Sequence, residues 1–190
     1  MTASFDDHRG CVVWLTGPPS AGKSTLAGLV EAELVAQGRR VERLDGDELR
    51  ARLCKDLGFS REDRDENVRR TAYLAKLLAR HGVIVLVALV SPYRAARDAA
   101  RAEIPGFVEV YVRCAIDECI RRDVKGLYAK ALAGQIPAFT GVSDPYEPPV
   151  DPEVVVETDR ETIAESAAKI LDALAARGHL AGRPSEVPNG

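Results

Sequence analysis

Residues 11–27 read CVVWLTGPPSAGKSTLA, and this stretch decides the architecture. CVVWLT is a short, continuously apolar run rich in β-branched and aromatic residues, which reads as a strand. From Gly17 to Ser24 the chain fits G-x-x-x-x-G-K-[ST], and STLAGLVEAEL continues with helical patterning. Glycines in such a turn let backbone N–H groups approach phosphate oxygens with no Cβ in the way, and the helix N-terminus adds positive potential. Lys23 is then expected to reach the β- and γ-phosphates, and the Ser24 hydroxyl to ligate Mg²⁺. The stretch predicts a nucleoside triphosphate site.

Working outward, strand-like runs recur at Cys11–Thr16, Val41–Leu44, Val83–Leu89, Phe107–Val112 and Val154–Glu157, alternating with helical segments. VVWL and VIVLVALV are apolar throughout, as in central strands covered on both faces. The pattern predicts an α/β fold of the P-loop type, with a mainly parallel five-stranded sheet and helices on both faces. Ser60 and Asp63 resemble a capping box, after which Val68, Ala72, Ala75, Leu78 and Ala79 recur at helical spacing up to Gly82. Ile163, Ala167, Ile170, Leu171 and Leu174 mark a closing helix that Gly178 ends. Residues 134–152 carry five prolines and two glycines, which forbid a long helix and predict an ordered lid loop in the C-terminal half. A single domain is expected over residues 1–190, with an ordered core at about 11–176 and frayed ends at 1–9 and 181–190.

At 190 residues, 46% hydrophobic and 29% charged, the chain has the makeup of one soluble domain. Lys+Arg 26 against Asp+Glu 29 leaves a net charge of −3, which argues against a nucleic-acid partner. The longest apolar run, Val83–Val90, is far short of the ~20 residues that span a bilayer. The acidic start MTASFDDHRG lacks the apolar region of a secretory signal. No membrane and a cytoplasmic location are expected. Cys11, Cys54, Cys114 and Cys119 form no CxxC and no metal-ligand spacing with His8, His81 and His179, so they read as buried thiols.

The acids at Leu44-Asp45-Gly46-Asp47 follow the second strand, at the edge of a parallel sheet where the phosphate loop also lies. There they can serve Mg²⁺, an attacking hydroxyl, or both; the plainer alternative is a turn in which Asp47 caps the helix ELRARL. A GTPase-like switch is disfavoured: the best buried strand ends without a carboxylate, and no NKxD element is present. Transfer of the γ-phosphoryl group to a small acceptor suits the pattern better. Arginines recur after strand ends (Arg50, Arg64, Arg69, Arg70; Arg94, Arg97 and Arg101 on one helix face; Arg121, Arg122 with Lys125) and suggest a positive field for an anionic acceptor. Phe59 and Phe139 sit in Gly- or Pro-flanked loops, which argues against core packing.

LDGDELR (44–50), KDLGFSREDRDENVRR (55–70), SPYRAARDAAR (91–101), RRDVKGLYAKA (121–131) and FTGVSDPYEPP (139–149), in this order, resemble the adenylyl-sulfate kinase family of P-loop kinases. The resemblance implies transfer of the γ-phosphate of ATP to the 3′-hydroxyl of adenosine 5′-phosphosulfate, with Mg²⁺, in a homodimer; a diverged kinase for another small nucleotide or metabolite is the alternative. It also implies that Gly17, Ser20, Ala21, Gly22, Lys23, Ser24 and Thr25 hold the ATP phosphates and that Ser24 and Asp45 hold the metal. Lys23, Asp45 and Lys125 would be catalytic, and Asp47, Arg50, Phe59, Arg64, Asn67, Val90, Ser91, Lys125 and Phe139 would bind the acceptor. Some members of the family are phosphorylated at the serine matching Ser91. The chain departs from the pattern at Ser20, which replaces a glycine, and at Pro137-Ala138, where the family usually has lysine and glycine before the phenylalanine.

Overall fold

The computed structural model describes residues 10–180; the expected frayed ends at 1–9 and 181–190 lie outside the described residues. Strands β1 (Val12–Thr16), β2 (Val41–Asp45), β3 (Ile84–Ala88), β4 (Phe107–Arg113) and β5 (Val154–Glu157) form one sheet in the order β2-β3-β1-β4-β5. Every pairing is parallel. Helices α1 (Lys23–Ala36), α2 (Gly46–Arg52), α3 (Arg61–Arg80), α4 (Arg94–Glu103), α5 (Ile116–Arg122), α6 (Leu127–Leu132) and α7 (Ile163–Ala176) make the connections and close the chain.

The apolar runs explain this layering. Side chains alternate along a strand, so a strand apolar at every position needs cover on both sides. Val13 and Leu15 of β1 point into a core with Leu26, Val30 and Leu34 of α1 and Ile170 and Leu174 of α7. Val12 and Trp14 point the other way, onto Val68, Ala72 and Ala75 of α3 and Ala100 of α4. The connections that leave adjacent strands β1 and β3 thus run to opposite faces, opening a crevice at the carboxyl ends of the strands.

Helix α3 begins where the serine predicted: Ser60 Oγ accepts the Asp63 N–H at 3.1 Å. Helix α7 starts in a capping box that sequence patterning passed over, between Thr162 and Glu165. The short helices α5 and α6, seven and six residues long, also have no counterpart in the sequence reading, since they span too few turns to show a period. Residues 134–152 form a loop with one isolated bridge, Thr140 to Asp144. All four cysteines are buried free thiols.

Candidate active site

The crevice is a cleft of about 510 Å³. Every residue to which the family resemblance gives a site role lines it except Gly17 and Ala21, which belong to the phosphate loop. Gly17 is required there because a Cβ would lie 2.4 Å from the Val112 carbonyl oxygen. Gly22 takes φ +95°, and helix α1 starts from it with no side-chain cap, so its first N–H groups are available to an anion. From behind, Thr158 Oγ1 donates to the Ala21 carbonyl at 2.8 Å.

Lys23 is buried, and its ammonium donates to the carbonyls of Gly17 (2.9 Å) and Pro18 (2.7 Å). Burial pushes its pKa down to about 8. The ammonium is therefore charged below about pH 8 and neutral above it, and kcat/KM for ATP is expected to fall as pH rises through that value. Stability moves oppositely: between about 8 and the ordinary 10.5 the unfolded chain holds a proton that the native state has released, so this group's contribution rises with pH. A pH profile of kcat/KM, and urea unfolding of wild type beside Lys23→Met, check both signs. A profile flat through pH 9 contradicts the first.

Ser24 Oγ donates to Asp45 Oδ2 at 2.6 Å, while Asp45 Oδ1 accepts the Asp47 N–H at 3.0 Å. The carboxylate that caps α2 is thus Asp45, not Asp47 as the plainer reading had it. Asp47 instead pairs with Lys125 across the cleft mouth. A hydroxyl and a carboxylate are hard oxygen donors of the kind Mg²⁺ takes. Among the described residues no group of three or more His, Cys, Asp or Glu could hold a metal ion.

The opposite wall is aromatic and cationic. Phe59 is 58% exposed, with the Arg50 guanidinium 4.3 Å from its ring centroid. Arg64 acts as a strap: Nε donates to the Phe59 carbonyl (3.0 Å), Nη1 to Thr140 Oγ1 (2.9 Å) and Nη2 to the Ala138 carbonyl. Asn67 is buried with its Oδ1 unpartnered, an orphan acceptor in the wall of the cleft.

Two expectations are corrected. Phe139 is only 9% exposed and belongs to the core, edge-to-face on Tyr128 at 5.0 Å, so its ring both packs inside and faces the cleft. Its loop is a bonded wall: the Phe139 carbonyl accepts N–H groups of Val142, Ser143 and Asp144, and the Tyr93 hydroxyl donates to the Asp144 carboxylate. Most of the arginines make no positive field either. Arg69 and Arg70 pair with Glu66, Arg70 also with Asp56, Arg97 and Arg101 with Glu109, Arg101 also with Glu153, and Arg121 and Arg122 with Glu118. Arg50, Arg64, Lys23 and Lys125 are the cations that line the cleft. Thr140, Pro92, Val124 and Ile136 line it too; the first three lie within the stretches that carry the resemblance, which gives none of them a role, and Ile136 lies outside those stretches.

The model of the family described as "Adenylylsulphate kinase" matches residues 9–157. The chain belongs to the adenylyl-sulfate kinase family. An adenylyl-sulfate kinase of Microcystis aeruginosa is 54% identical over 91% of this chain and 96% of its own length. A solved structure of the Mycobacterium tuberculosis APS kinase in complex with AMPPNP and APS superposes with a TM-score of 0.85 at 45% identity, covering 88% of this chain and 98% of the other. A hexameric APS kinase from Thiobacillus denitrificans has a TM-score of 0.69 at 34% identity, covering 92% of this chain and 30% of that one.

Both departures from the usual kinase sequence fall on strained backbone. Ser20 has φ +59° and Ala138 φ +50°, conformations that glycine adopts at no steric cost. Ala138→Gly is expected to stabilise the protein by ~0.5–1 kcal/mol, since left-handed alanine costs ~1–2 kcal/mol and the extra unfolded-chain freedom of glycine returns ~0.4–1. Thermal unfolding by circular dichroism measures this; a lower Tm contradicts it.

Proposed function

We propose that this chain transfers the γ-phosphoryl group of ATP to the 3′-hydroxyl of adenosine 5′-phosphosulfate, yielding 3′-phosphoadenosine 5′-phosphosulfate and ADP. The observation that carries the reading is one cleft in which the phosphate loop and the Ser24–Asp45 pair face a wall of Phe59, Phe139, Arg50, Arg64 and Asn67. In this reading Gly17–Thr25 hold the triphosphate, and Lys23 swings from the Gly17 and Pro18 carbonyls onto the β- and γ-phosphates. Ser24 and Asp45 would hold Mg²⁺, which when bound neutralises charge on the phosphates. Asp45 would take the proton of the 3′-hydroxyl, and Lys125, freed from Asp47, would offset charge on the transferring group. Asp47, Arg50, Arg64, Asn67, Val90 and Ser91 would orient the acceptor between the two phenylalanines, whose faces suit a purine.

Direct in-line transfer is favoured over a phosphoserine relay. The Ser91 hydroxyl accepts from Trp14 Nε1 and donates to Thr16 Oγ1, both at 3.0 Å, and the Thr16 hydroxyl in turn donates to the Val90 carbonyl at 2.8 Å. A hydroxyl held in such a chain has no base to activate it. The deciding assay is ADP release from Mg·ATP with adenosine 5′-phosphosulfate, beside AMP, other nucleoside monophosphates and no acceptor. Turnover confined to the phosphosulfate supports the reading; equal turnover with AMP overturns it. No helix among the described residues is long and apolar enough to cross a membrane. The reading places the chain in the cytoplasm, where its free thiols stay reduced, as a homodimer, which sedimentation would separate from a hexamer.

A further inference from the structure

The turn after β3 forms the floor of the cleft, and its Ser91 takes φ +39°, an uncommon conformation for a residue with a side chain. Strained backbone persists only where its surroundings over-determine it. Around Ser91 they do. Its hydroxyl is fixed by Trp14 and Thr16, and its carbonyl accepts a 2.6 Å hydrogen bond from Arg97 Nη1. Arg97 is 1% exposed, on the inner face of α4. Its other two nitrogens also donate inside the protein: Nε to Glu109 Oε1 at 2.8 Å and Nη2 to the Glu147 carbonyl at 2.7 Å. The Glu147 N–H in turn donates to the Pro92 carbonyl at 2.8 Å. Glu109 is held by Arg101, which Glu153 grips on its other side.

We propose that Arg97 is a positioning residue for the acceptor half of the site: its planar guanidinium joins the Ser91 turn to the proline-rich loop and holds the Val90-Ser91 floor in its strained, ligand-facing conformation. The inference rests on the function proposed above for the identity of the acceptor. An ion pair that only filled the core would need no bond to the cleft floor. Arg97 donates from Nε to Glu109 and from its two terminal nitrogens to the Ser91 and Glu147 carbonyls, one in the turn after β3 and one in the proline-rich loop. A lysine ammonium can keep the charge beside Glu109 but cannot span three acceptors in one plane.

Arg97→Lys is therefore expected to raise KM for adenosine 5′-phosphosulfate about tenfold, within the ~10²-fold that a 1 Å misplacement can cost, while KM for ATP stays within about twofold. In the substrate-free protein the emission of Trp14, the single tryptophan of the chain, should shift, because its indole N–H loses an ordered partner in Ser91. If Arg97→Lys does not fold, Glu109→Gln carries the test: it weakens the anchor of the guanidinium and should raise the acceptor KM about threefold with ATP unaffected. An equal rise in both KM values, an unmoved acceptor KM, or unchanged Trp14 emission in a folded Arg97→Lys protein overturns the proposal. Should the wild type not turn over the phosphosulfate at all, the functional reading falls while the Trp14 comparison still judges whether Arg97 holds the Ser91 turn.

Discussion

Lys23→Ala is expected to cut kcat by at least ~10²-fold, the loss typical when one preorganised cation or donor is removed from a transferring group, worth ~3 kcal/mol. The fold should survive. The ammonium is held by the Gly17 and Pro18 carbonyls rather than by an acid, and its lowered pKa says that burial opposes its charge. Removing it deletes a cost as well as two hydrogen bonds. Turnover at saturating ATP, with circular dichroism to confirm folding, measures the effect. Near-normal kcat in a folded variant would remove the phosphate loop from the mechanism.

Asp45→Asn should lower kcat ~10²–10⁴-fold, the span for loss of a general base, with much less change in acceptor KM. The substitution is clean because asparagine caps a helix about as well as aspartate, so the bond from the Asp47 N–H and the start of α2 are kept. What goes is the charge facing Ser24. Asp47→Asn is the companion experiment. Asp47 touches Lys125 at the exposed mouth, so its loss should be felt mainly in KM. If Asp47→Asn proves the more damaging to kcat, the roles of the two carboxylates are reversed.

Asp45 and Ser24 lie 21 positions apart, yet their meeting was foreseeable, because both follow strands of one parallel sheet and such strands end on a common edge. Arg50, Arg64 and Lys125 are likewise legible in the sequence as candidates for an anionic acceptor. The arginines of α4 mislead for a definite reason. Arg97 and Arg101 look alike at i and i+4 on one helix face, but their carboxylates arrive from β4 and from the chain entering β5, 12 and 52 positions away. Local charge counting cannot see that neutralisation. Phe139 misleads similarly: its flanking glycine and prolines describe a loop, while Tyr128, against which its ring packs, comes from α6, a helix too short to show a period.

By itself the sequence determined the five parallel strands, through apolar runs that demand cover on two faces, and the phosphate loop, through glycines whose lack of a Cβ has no substitute at Gly17 and Gly22. These are short-range properties, written in consecutive residues. Only the tertiary structure decided which cations line the cleft, which aromatic is half core, and where strain is kept: of the four non-glycine residues with left-handed φ among the described residues, Ser20, Ser91 and Ala138 line the one cleft and Asp123 ends α5. Those depend on partners brought from distant parts of the chain, because a buried charge or a left-handed turn is stable only when groups from several elements hold it at once.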